Sequence, residues 1–181
     1  MTRYVAWLRG INLGPKTQVA MADLRGLAEG IGLTDVATYV RSGNLVFTSD
    51  SSDAALETTL AGAIEGGLGR SIDVVVRSRD EIAAVLDVDP FADVATDQAR
   101  SVVVFLAGKP AAKPLADLVG TDWAPELLVP QGRELFLWCP NGQANSPMGD
   151  ALWKAKLGTS LTARNRRTVA KVLAMLDAPP G

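Results

Sequence analysis

Val36-Ala37-Thr38-Tyr39-Val40-Arg41-Ser42-Gly43-Asn44-Leu45-Val46-Phe47-Thr48 reads as a β-hairpin. Two runs rich in β-branched and aromatic residues, Val36 to Val40 and Leu45 to Thr48, flank the turn triplet Ser42-Gly43-Asn44. Its neighbours decide which fold the hairpin belongs to. Before it, Arg3 to Arg9 alternates and is rich in Val, Trp and Leu, which predicts a strand. Met21, Leu24, Leu27 and Ala28 then recur at helical spacing and close near Gly30 and Gly32. After it, Asp53 to Glu65 carries Leu56, Leu60 and Ile64 on one stripe, and Ile72 to Val76 is a further strand. The order β-α-β-β-α-β is that of a ferredoxin-like, split βαβ unit. In that order the first two strands run parallel and the third lies antiparallel between them. The end of the first strand and the hairpin tip then share one sheet edge. Arg9 to Lys16 and Ser42 to Asn44 are therefore expected to converge.

The order begins again downstream. Ser78-Arg79-Asp80-Glu81 has capping-box spacing and starts a helix through Leu86. Asp87 to Arg100, acidic and interrupted by Pro90, reads as a connector. Ser101 to Ala107 is the next strand, Pro114 to Val119 a short helix, and Glu126 to Val129 with Arg133 to Cys139 a hairpin about Pro130-Gln131-Gly132. A helix from Met148 to Leu157 stops at Gly158, and a last helix runs from Thr162, as N-cap, to Leu176. The expected fold class is α+β, with duplicated ferredoxin-like halves in one compact protein. Its parts are a first half over 1–87, a connector over 88–100, and a second half with a C-terminal helix over 101–178.

Composition removes several chemistries. The chain contains no histidine, so no Ser-His-Asp or Cys-His arrangement can form and zinc loses its commonest ligand. The single cysteine, Cys139, cannot close an intrachain disulfide, which fits a reducing compartment, and its apolar run predicts an inert core thiol. A formal net charge of −2 argues against broad binding to nucleic acid or anionic lipid. The start of the chain has no signal-peptide apolar region, and no stretch approaches a membrane span. A cytoplasmic protein with no membrane partner is expected.

Three segments carry candidate binding chemistry. Arg9-Gly10-Ile11-Asn12-Leu13-Gly14-Pro15-Lys16 lies at a strand-to-helix turn, where backbone N–H groups and basic side chains can face an anion. It is not a P-loop: three residues separate Gly10 from Gly14, and Pro15 splits Gly14 from Lys16. Ser42-Gly43-Asn44 is the turn expected beside it. Thr162 to Thr168, with Arg164, Asn165, Arg166 and Arg167, places cations at the predicted start of the last helix, where the macrodipole opposes them unless an acidic partner or a ligand answers. Trp7, Tyr39, Phe47 and Trp138 lie on predicted strands but match no aromatic RNA-binding signature. Acidic pairs such as Asp87 with Asp89 lack the glycine and terminal Glu of a calcium loop, and no metal is assigned.

The combination of motifs resembles the DUF1697 family, a bacterial domain of unknown function. The resemblance rests on Leu8 to Gly14, Met21-Ala22-Asp23-Leu24 with Gly32-Leu33, Thr38 to Phe47, and Thr162 to Asn165 with Thr168 and Lys171. It extends over the whole chain. It implies the same duplicated ferredoxin-like architecture and no established activity. Pro15 stands where relatives usually have a second glycine, and Arg166 where an aromatic is common.

The expected function is binding of a small anionic ligand, bearing phosphate or carboxylate, at the shared sheet edge. Arg9 and Lys16 would supply charge, and Asn12, Ser42 and Asn44 would orient. Gly10, Gly14 and Gly43 would shape the turns, with Arg164 and Asn165 closing the site. The alternative is a non-catalytic interaction or structural module. Single-stranded nucleic-acid binding ranks a distant third. No catalytic residue or cofactor is assigned, and the oligomeric state is left open.

Overall fold

The computed structural model describes residues 1–179. Among them are two four-stranded antiparallel sheets and six α-helices, an α+β fold. The chain divides into two units, Met1–Val85 with the part of the chain from Ala170 onward, and Leu86–Val169.

In the first unit β1 (Thr2–Leu8), α1 (Met21–Gly30), β2 (Thr34–Tyr39), β3 (Asn44–Ser49), α2 (Asp53–Leu68), β4 (Val74–Ser78) and α3 (Arg79–Asp87) follow in order. The sheet runs β2-β3-β1-β4. β3 pairs antiparallel with both β2 and β1, matching Tyr4 to Phe47 and Trp7 to Asn44. Alternation sends Tyr4, Ala6, Leu8, Leu45, Phe47, Val74 and Val76 to one face, where Leu24, Ala28, Leu56, Leu60 and Ile64 of the two helices complete a core. The predicted leucine stripe of α2 is therefore its buried face. Ser52 caps that helix by accepting from Ala55 N.

α2 runs three residues beyond the predicted Glu65. Leu68 packs on the core, and Gly69 supplies the left-handed stop at φ +64. β4 consequently starts two residues later than expected. The predicted capping box is present: Glu81 Oε2 accepts from Ser78 N at 2.8 Å, and Glu81 N donates to Ser78 Oγ at 3.3 Å.

The second unit contains β5 (Ser101–Leu106), α4 (Ala112–Val119), β6 (Leu127–Gln131), β7 (Glu134–Trp138), α5 (Pro147–Lys154) and β8 (Leu161–Asn165), with α6 (Arg166–Asp177) starting at its end. Its sheet runs β6-β7-β5-β8. Val102, Val104, Leu106, Leu135, Leu137, Leu118, Met148 and Leu152 form its core. Cys139 lies in that core fully buried, and burial raises its thiol pKa.

Two expectations fail here for definable reasons. α5 ends at Lys154 rather than Leu157, because the chain turns out of the helix so that Leu157 O accepts from Ala111 N at 2.8 Å. Thr162 is not a helix cap. Leu161–Asn165 is strand β8, pairing Thr162 with Phe105 and Arg164 with Val103. The helix begins only after Asn165, whose Oδ1 accepts from Thr168 N at 2.8 Å and is the actual N-cap.

Candidate functional site

The strand-to-helix loop and the hairpin turn converge, and their hydrogen bonds include a backbone pair and the side chain of one asparagine. Leu8 N donates to Gly43 O at 2.9 Å. Asn12 Nδ2 donates to Arg41 O at 2.6 Å and to Val19 O at 3.1 Å, while its Oδ1 accepts from Val19 N at 2.8 Å. A single side chain thereby ties the loop to its own far end and to the hairpin. Asn12 sits at φ +56, a left-handed conformation that asparagine tolerates. Gly43, at φ +76, lets the turn press against β1: a Cβ there would lie 2.8 Å from Leu8 Cβ and 2.9 Å from Ile11 Cδ1. Asn44 is fully buried and donates to Tyr39 O at 3.0 Å and Ser42 Oγ at 3.1 Å.

Between the two segments lies a cleft of about 380 Å³, lined by Ile11, Asn12, Leu13, Gln18, Val40, Arg41 and Ser42. That is within the range of ordinary ligand pockets, about 300–1,000 Å³. Its only charged lining residue is Arg41, which is exposed. Two of its apolar side chains face water, Leu13 at 82% and Val40 at 53% of full exposure. Val40 also sits at φ +48. A β-branched residue there crowds its own backbone, at a cost of about 1–2 kcal/mol.

Three backbone donors of the loop are used internally. Leu13 N and Gly14 N both donate to Thr17 Oγ1, at 2.9 and 3.0 Å, and Asn12 N donates to Thr17 O at 2.8 Å. Arg70 fastens the following 3-10 turn (Pro15–Thr17) by donating to Lys16 O at 2.8 Å and Gln18 O at 2.5 Å. The loop is therefore a closed knot, and the backbone cradle expected for an anion is filled by a threonine hydroxyl.

The remaining site candidates distribute unevenly. Arg9 turns toward the other side of β1 and pairs with Asp73 at 3.3 Å. Lys16 is exposed and outside the cleft lining. Gly10 occupies a left-handed turn at φ +67, whereas Gly14 has extended backbone that any residue adopts. Ser42 lines the cleft, while Gly43 and Asn44 do not, and Asn44 is fully buried.

Arg164 and Asn165 belong to the second unit and do not line the cleft. Arg164 donates to Thr162 Oγ1 and Ala163 O, both at 2.8 Å, and burial lowers its pKa to about 10. The cations starting α6 are answered within the second unit. Arg166 donates to Val88 O at 2.7 Å and to Leu86 O, and lies 3.9 Å from Asp89; Arg167 pairs with Asp97 at 3.3 Å. Asp89 and Asp97 of the connector are thus ion-pair partners that also accept from the backbone of Phe91 and Ala99. Among the described residues no cluster of three His, Cys, Asp or Glu side chains is placed to hold a metal ion. Sequence reasoning passed over Arg41 and Gln18, although Arg41 stands beside the turn triplet.

The family model described as "Protein of unknown function (DUF1697)" matches residues 1–136, which contain both converging segments. The chain belongs to that family. The motif from Thr162 to Lys171 lies beyond the match. A solved structure, of the conserved bacterial protein SP0830 from Streptococcus pneumoniae, is similar with a TM-score of 0.81 at 28% identity. That similarity covers 97% of this chain and 99% of the other. No curated protein matches.

Proposed function

We propose that this DUF1697 protein binds a small anionic ligand in the cleft between the 9–18 loop and the 40–44 turn. The observation that carries the reading is Val40. The fold holds a β-branched residue in a left-handed conformation, half in water, beside an exposed arginine. Such strain persists only where surrounding structure imposes it, and it concentrates at binding sites. Arg41 supplies the charge, Gln18 and Ser42 supply polar groups, Asn12 holds the two segments together, and no carboxylate in the lining competes with an anion. The role first given to Arg9 and Lys16 passes to Arg41.

The same reading treats the chain as two ferredoxin-like halves, 1–87 and 101–178, joined by a connector over 88–100. Matching strand orders, β2-β3-β1-β4 and β6-β7-β5-β8, support a duplication. A single buried thiol supports a cytoplasmic location.

A thermal-shift screen against carboxylates and phosphates tests the proposal. A ligand at 100 times its dissociation constant adds about 2.7 kcal/mol to stability. The expected result is a raised melting temperature for the wild type that Arg41→Ala loses. A shift that survives intact in Arg41→Ala places the ligand elsewhere and defeats the proposal.

A further inference from the structure

We infer that the ligand of this cleft is an amphipathic monocarboxylate, a single carboxylate group on an aliphatic or aromatic body. This rests on the reading of the cleft as a ligand site and goes beyond it by naming the class.

The anionic end follows from what the cleft can and cannot donate. A phosphate site built on a glycine turn works by aiming several backbone N–H groups at the oxygens. Here Asn12 N, Leu13 N and Gly14 N are all committed to Thr17. One guanidinium remains as the cation of the lining. A guanidinium can pair either a carboxylate or a phosphate through two parallel hydrogen bonds, but one cation balances a monocarboxylate, whereas a dianionic phosphate would be left short of charge and donors.

The body follows from the apolar side chains. Leu13 is presented to water from a loop pinned at Thr17 and by Arg70, so its exposure is imposed by the fold rather than by loose chain. Val40 is presented across the cleft at φ +48. Ile11 forms the floor and is almost wholly buried. Three aliphatic side chains around one cation suit a ligand that is itself apolar over most of its length. A small hydrophilic anion would leave Leu13 and Val40 as wet as they are now.

The test is calorimetric titration of the full chain with octanoate, acetate and inorganic phosphate, on wild type, Arg41→Ala, Leu13→Ser and Val40→Asn. Leu13 and Val40 are exposed, and asparagine tolerates the left-handed backbone at position 40, so both variants should fold. The expected result is octanoate binding at least about tenfold tighter than acetate or phosphate, from burial of its methylenes. Arg41→Ala should weaken it by about tenfold or more, as loss of a charged hydrogen-bond pair does. Leu13→Ser and Val40→Asn should weaken octanoate while leaving acetate unchanged. If acetate or phosphate binds as tightly as octanoate and still depends on Arg41, the amphipathic class is wrong while the anion site stands. If no probe binds the folded wild type, both fall.

Discussion

Gly43 and Val40 occupy the same unusual backbone region for opposite reasons. At Gly43 the fold demands the absence of a side chain, because Leu8 Cβ and Ile11 stand where a Cβ would go. Gly43→Ala should therefore cost about 2–4 kcal/mol, combining left-handed strain with overpacking against β1. Chemical denaturation would show it, and a loss below about 1 kcal/mol would mean that the turn is not pressed against the strand. Gly67 offers the internal comparison. The three atoms nearest a Cβ there all belong to the Leu27 side chain, whose flexible end can swing aside. The glycine of Ser42-Gly43-Asn44 was legible in the sequence as a turn residue. Val40 was not, since a β-branched residue at a strand end signals more strand, and only the folded hairpin shows it bent out of the ladder. Arg41 was hidden for the same reason, because β2 ends at Tyr39 rather than Val40 and the turn that carries Arg41 begins one residue sooner than the sequence suggests.

Elements whose stability is local were readable in advance. The stripe of α2 and the capping box of α3 each follow from residues three or four apart, and both stand where expected. β8 was lost because Leu161 to Asn165 has no strand signature of its own; its identity comes from the hydrogen bonds it makes to β5. Reading that strand as the first turn of a helix moved three arginines onto a helix start. The correct boundary leaves Arg166 and Arg167 there, with very different weights. Arg166 is buried and holds the carbonyls of Leu86 and Val88, so Arg166→Ala should destabilise by about 2–4 kcal/mol through unsatisfied buried groups. Arg167 meets Asp97 in largely exposed surroundings, and Arg167→Ala should cost less than about 1 kcal/mol. Equal losses in denaturant melts of the two variants would contradict this assignment of the connector's anchor.

For the molecule as a whole, the absence of histidine has a measurable consequence. No side chain has its ordinary pKa between pH 5 and 8. Cys139 is a group whose folded pKa is raised by burial, so the folded state holds its proton while the unfolded thiol ionises. Its contribution is fully present below the ordinary thiol pKa of about 8.5 and is lost as pH rises through and beyond it. Arg164 has the opposite sign. Its depressed folded pKa of about 10 penalises the native state below that pH and relents only above it. Melting temperature should therefore be flat from about pH 6 to 7.5 and fall above about 8.5. Cys139→Ser should flatten the alkaline fall. A strong pH dependence near neutrality would point to a titrating group other than Cys139 and Arg164 and contradict this assignment.

The cleft lined by Asn12 and Arg41 is where this protein is proposed to meet its ligand. The most direct measurement is an amide chemical-shift titration of the isotope-labelled chain with octanoate. Saturable shifts concentrated at Ile11, Leu13, Gln18, Arg41 and Ser42 are expected, with their disappearance in Arg41→Ala. Saturable shifts centred on other residues, or an unchanged pattern in Arg41→Ala, would contradict it.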